Sequence, residues 1–141
     1  MQRVQHNAAR LVLGRRGRDH AKPLLRSLHW LPVRARIEYK ISTLSYRSRD
    51  SSAPAYLSDL LFVYQPSRSL RSADAGSMTV PRIKLNKYGK RAFSYTGPLT
   101  WNPLPKPLRD APSLPSFRSN LKTFLFKKHL YRRLSQGVEQ S

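Results

Sequence analysis

The 141-residue sequence contains no cysteine. Disulfides, thiol nucleophiles and Cys-ligated zinc knuckles are thereby excluded. Acids are scarce: the only aspartates and glutamates are Asp19, Glu38, Asp50, Asp59, Asp74, Asp110 and Glu139, seven against 27 lysines and arginines. No two of them are adjacent, so nothing in the sequence gathers the carboxylates that two-metal polymerase or nuclease chemistry needs. Long apolar runs are missing too. The longest, Leu60 to Tyr64, is far too short to cross a bilayer. The opening lacks the apolar stretch of a secretory signal. Residues 1–18 carry five arginines and no acid, as mitochondrial presequences do. They are poor in serine, however, and the basic bias runs along the whole chain, so nucleus or cytoplasm is the expected location. His6, His20, His29 and His129 show no i, i+4 pair, and no phosphate-cradling G-x-x-x-x-G-K loop is present. No catalytic residue, metal ligand or cofactor is expected, and the chain reads as a binding protein rather than an enzyme.

What the sequence has instead is positive charge. The net charge is 27 − 7 = +20. Twelve of the basic residues fall in 1–50, seven in 51–100 and eight in 101–141, so no single tail holds them. Ordinary surfaces mix both signs, and a surplus of this density repels itself and seeks polyanions. Binding of RNA or DNA backbone by counterion release is the expectation; an anionic membrane is not, because the basic helices lack a broad bulky apolar face.

Hydrophobic spacing predicts a mainly α fold with a small β-hairpin in a proline-rich basic middle. Residues 1–64 form the helical N-terminal part, 65–112 the loop and hairpin region, 113–135 a closing helix and 136–141 a frayed tail, together one small domain. In the first helix, Val4, Ala8, Leu11 and Val12 share a face and Gly14 is a natural stop. Asp19 is a candidate cap for the next helix, with Pro23 in its first turn and Leu24, Leu25 and Leu28 as its apolar stripe. After Pro32, the residues Val33, Ile37, Ile41 and Leu44 mark a third helix by one apolar face. Ala53-Pro54 opens a short helix through Leu61. Most of the eleven prolines lie between 65 and 112 and exclude long helices there. Ile83 and Leu85 alternate with polar neighbours, as do Arg91, Phe93 and Tyr95; with Lys87 to Lys90 as a turn, they predict the hairpin. Short helical turns are expected after Gly97-Pro98. Ser113 caps a last helix whose face is Leu114, Phe117, Leu121, Phe124 and Leu125.

The densest local signal runs from Ala75 to Arg109, 35 residues with seven basic side chains and no acid. Tyr88, Phe93, Tyr95 and Trp101 are interleaved with the cations, a composition suited to single-stranded nucleic acid. Phe93 and Trp101 are also the natural core of that region, and Tyr88, beside Gly89, is the ring expected outside. Arg15, Arg16 and Arg18 form a loop cluster. Arg68 and Arg71 stand among serines. The residues expected to contact phosphate are Arg15, Arg16, Arg18, Arg68, Arg71, Arg82, Lys84, Lys87, Lys90, Arg91, Lys127 and Lys128. His29, beside Trp30, reads as a packing or capping residue.

Several blocks in order carry a resemblance. They are Gln2-Arg3-Val4-Gln5 and Ala8-Ala9-Arg10-Leu11-Val12, then Leu28-His29-Trp30-Leu31-Pro32-Val33 with Arg36-Ile37 and Lys40. Ala53-Pro54 with Tyr56-Leu57, Pro66-Ser67-Arg68, Val80-Pro81-Arg82 and Tyr88-Gly89 with Arg91-Ala92-Phe93-Ser94 follow. Trp101-Asn102 with Leu104-Pro105, and Phe117 with Leu121-Lys122-Thr123, complete the series. Over about residues 2 to 130 the chain resembles the C-terminal tail of the reverse-transcriptase polyproteins of LINE-type non-LTR retrotransposons, in the branch of jockey and the chicken-repeat elements. The resemblance implies a detached C-terminal region, without the endonuclease and polymerase domains, that helps hold template RNA and target DNA. It implies no catalytic residue here, and it names the parent polymerase domain as a possible protein partner. Two alternatives stay open: a non-functional remnant that merely packs on that absent domain, and a ribosome-type structural RNA binder.

Overall fold

A computed structural model describes residues 1–66, 68, 76–84 and 86–131. Among these the fold is helical: α1 (Gln2–Val12), α2 (Ala21–Ser27), α3 (Val33–Arg49), α4 (Ala55–Ser58), α5 (Asn86–Gly89), α6 (Phe93–Trp101), α7 (Lys106–Arg109) and α8 (Leu114–Leu130). The chain divides into two compact units. One takes Met1–Tyr39 and the chain from Leu121 onward; the other is Lys40–Asn120. The division follows contacts and not sequence order, for the first unit draws on both ends of the chain.

Two helices of the first unit end in the same way. Beyond α1, Gly14 takes a left-handed φ of 60°, while Gly14 N–H donates to Leu11 O and Arg15 N–H to Arg10 O. Beyond α2, His29 takes φ 52°, with His29 N–H bonded to Arg26 O and Trp30 N–H to Leu25 O. Both are Schellman closures, which satisfy carbonyls that a helix end otherwise leaves orphaned. The N-cap of α2 is His20, with no side-chain cap hydrogen bond, rather than the expected Asp19.

Ala9, Leu24, Leu25 and Leu130 form the core of this unit, with Leu13, Leu28, Trp30 and Phe126 packed against it. The buried side of α1 is Gln5 and Ala9. The expected apolar stripe points the other way: Val4, Leu11 and Val12 are 71%, 83% and 62% exposed. Two glutamines explain the choice. Gln5 Nε2 donates to Leu31 O at 2.7 Å, and Val33 N–H donates to Gln2 Oε1 at 2.9 Å, which satisfies a first-turn donor of α3.

The second unit is organised around aromatics. Tyr46, Trp101 and Phe117 are all buried. The Tyr46 and Phe117 rings stack at 4.5 Å, Trp101 and Phe117 lie tilted at 5.8 Å, and Tyr46 and Trp101 at 6.5 Å. Polar ends are tied off, as buried Tyr and Trp require: Tyr46 OH donates to Ala111 O and Trp101 Nε1 to Gly76 O. Asn102 clamps the Met78 backbone, accepting from its N–H and donating to its carbonyl. On α3 the buried side is Ser42, Thr43, Ser45, Tyr46 and Ser48, whereas Ile37 is 54% exposed. Small side chains there let α6 come close: a Cβ at Gly97 would lie 3.3 Å from Ser45 Oγ. On α8, Ser113 Oγ accepts from Ser116 N–H as an N-cap, and Phe117, Leu121 and Leu125, at helical spacing along one face, are all buried.

The expected hairpin does not form. Among the described residues there is no strand, only one antiparallel bridge between Val63 and Met78. Leu85 lies outside the described residues. Residues 86–89 are helix α5, where a turn was expected, and Phe93 begins α6, where a second strand was expected. The physical reason is the spacing of Phe93, Gly97 and Trp101, which matches a helix and outweighs a three-residue alternation. Thr96 and Thr100 hydroxyls donate back to the carbonyls of Ala92 and Thr96, four residues earlier. Ile83 packs on Gly89 so closely that a Cβ there would meet it at 3.0 Å.

Candidate nucleic-acid interface

In the first unit, Arg15, Arg16 and Arg18 are exposed on the turn between α1 and α2. The turn is held at both ends, by the closure at Gly14 and by Arg10, whose Nη2 donates to Asp19 O at 3.1 Å. Guanidinium groups on a fixed turn meet phosphate at a smaller entropic cost than groups on a loose tail. Lys127 is exposed near the end of α8. Lys128 is differently placed: its Nζ donates to Glu38 Oε2 at 2.9 Å, so a structural ion pair engages it.

Glu38 is the hub of charge pairing. His129 Nε2 lies 3.2 Å from Glu38 Oε1, off line for a hydrogen bond, and exposed Arg34 approaches to 3.9 Å. Burial raises the pKa of this carboxyl, but the hydrogen bond from Lys128 and the contact of His129, with their charges, more than offset it. The net shift is below the ordinary glutamate value. Among the described residues, all side-chain ion pairing is at Glu38.

In the second unit, Arg68, Arg82, Lys84, Lys90 and Arg91 are exposed, and Lys87 falls within α5. The Ile83–Gly89 contact lays residues 82–84 beside 89–91 and so gathers Arg82, Lys84, Lys90 and Arg91 into one neighbourhood. Arg71 lies outside the described residues.

The rings of this segment divide as their chemistry dictates. Trp101 is core, Phe93 and Tyr95 are half-buried, and Tyr88 is exposed. Besides Arg10, three half-buried or buried arginines serve structure. Arg109 is buried and donates to Ser77 Oγ; Arg47 donates to Ser52 O; Arg26 donates to Leu130 O. Further exposed cations, Lys22, Arg36, Lys40, Lys106, Arg118 and Lys122, escape a reading that looks for clusters in sequence, because helix spacing scatters them along the chain.

Among the described residues no group of acids and histidines could hold a metal ion, and no helix is long and apolar enough to cross a membrane. No protein-family model, curated protein or solved structure matches this chain.

Proposed function

We propose that the protein binds RNA or DNA through the phosphate backbone without sequence preference, as a C-terminal region akin to that of LINE-type reverse transcriptases and without catalysis of its own. The observation that carries this reading is the imbalance of the surface. Arg15, Arg16, Arg18 and Lys127 of one unit, and Arg68, Arg82, Lys84, Lys90 and Arg91 of the other, are exposed, while ion pairing among the described residues is confined to Glu38. Exposed cations not engaged in ion pairs are what counterion release requires. Replacing Lys87, Lys90 and Arg91 together by alanine tests the reading by fluorescence anisotropy on several unrelated oligonucleotides. Binding should weaken alike for all of them, and the log–log salt slope should fall by about 2 to 3 on duplex. Loss on one sequence alone contradicts the proposal.

One observation favours a second reading, a packing segment for an adjoining polymerase domain. Val4, Leu11 and Val12 leave an apolar face of α1 in water. A thermal melt separates the two. A cooperative transition fits an autonomous binder, and a featureless trace fits a segment that needs its partner.

A further inference from the structure

Beside α2 and the end of α8, the first unit has an open cleft of about 720 Å³ lined by His29, Lys122, Thr123, Phe126, Lys127 and Tyr131. We infer that this cleft takes an unpaired base of single-stranded RNA or DNA, stacked on its rings, with the flanking phosphates on Lys122 and Lys127. The inference rests on the nucleic-acid reading above and adds to it a site and a preference for unpaired strands.

Three features of the cleft point to this occupant. First, its rings form a continuous aromatic row. His29 stacks on Phe126 with centroids 5.9 Å apart and planes 18° apart, and Tyr131 lies next in the row, tilted 51° to Phe126 with centroids 6.2 Å apart. The Arg26 guanidinium sits over one face of the Tyr131 ring, 4.4 Å from its centroid, while the residue as a whole stays 46% exposed. Flat π faces with an arginine alongside are the platform on which bases of any identity stack. Second, among the described residues the lining contains two lysines and no acid, and both lysines are exposed. A ligand that is flat and aromatic but carries negative charge at its edges suits that lining; an acidic peptide matches only the charge. Third, His29 holds φ 52° at the position where glycine closes such a helix end without strain. The fold does not need an imidazole there, and the one it has forms a wall of the cleft. On α8 the lining residues recur as Lys122 and Phe126, and as Thr123, Lys127 and Tyr131, both at spacings of four, so one helix face presents them together. Duplex ends aside, a paired base is buried in its own stack and cannot enter.

The test compares an oligodeoxyadenylate with an abasic oligomer of equal length, hence equal phosphate charge, by anisotropy on the full chain. The wild type should bind the base-bearing oligomer about five-fold or more tightly than the abasic one, the lower end of what one stacked base contributes. His29→Gly and Tyr131→Leu should each reduce that ratio and leave abasic binding unchanged. His29→Gly should keep or raise the melting temperature, which a merely structural histidine would not allow; if it fails to fold, Tyr131→Leu carries the same test. Equal binding of both oligomers by the wild type overturns the cleft and spares the phosphate reading. Binding of neither overturns both. Variants that lower both affinities in proportion also overturn the cleft.

Discussion

At the residue scale, a few polar side chains decide what the fold can tolerate. Tyr46 is buried among rings, yet its hydroxyl reaches Ala111 O at 2.9 Å. Tyr46→Phe keeps the stacking and strands that carbonyl, so a loss of about 1–3 kcal/mol in denaturant unfolding is expected. Glu38 makes the second residue-scale prediction. Its folded pKa lies below its unfolded one, so its contribution is complete above the ordinary glutamate value, about 4.3, and is lost as pH falls through the depressed folded value. Glu38→Gln should therefore flatten the acid limb of the stability curve of the first unit in melts between pH 6 and 3. The same change releases Lys128 from its carboxylate and should make the salt slope of nucleic-acid binding slightly steeper. An unchanged acid limb would show that the Lys128–Glu38–His129 contacts add nothing to stability.

At the scale of elements, helix ends carry more information than helix faces. Gly14, His29 and Ser51 all hold left-handed φ values just beyond a helix. After α3, Ser52 N–H bonds to Arg47 O in the pattern already seen after α1 and α2. Gly14 has nothing within 4 Å of a built Cβ, so Gly14→Ala should cost about 1–2 kcal/mol from backbone strain alone. Ser51→Gly should gain about 0.5–1 kcal/mol, strain relief less the added freedom of the unfolded chain. Paired chemical denaturation curves check both, and equal stabilities would contradict the closure argument. Gly14 as a stop, Pro32 before α3 and Ser113 as a cap were all legible in the sequence, because each follows from a local backbone rule. The face of α8 was legible for a related reason: Phe117, Leu121 and Leu125 are large, and helix spacing gives them one side. On α1 Val4, Leu11 and Val12 point outward, as does Ile37 on α3, and the buried positions include Gln5, Ala9, Ser42 and Ser45. Periodicity of bulk cannot find a face chosen for small size or for a hydrogen bond to a distant carbonyl. The hairpin failed for want of length, since alternation over three residues also fits a helix start.

At the scale of the molecule, the charge imbalance was fully legible, because it depends on composition and not on placement. Its distribution was legible in part. The turn of Arg15, Arg16 and Arg18 is contiguous in sequence, whereas the neighbourhood of Arg82, Lys84, Lys90 and Arg91 depends on the close approach of Ile83 to Gly89. The aromatic row was hidden because His29 and Phe126 are about a hundred residues apart in sequence and only the fold stacks them. The central claim is that polyphosphate offsets the surplus of +20, and the affinity for a random-sequence duplex as a function of salt tests it most directly. Engagement of six to ten phosphates predicts a log–log slope of roughly −5 to −9. A slope near zero, or no binding at the lowest salt, would contradict it.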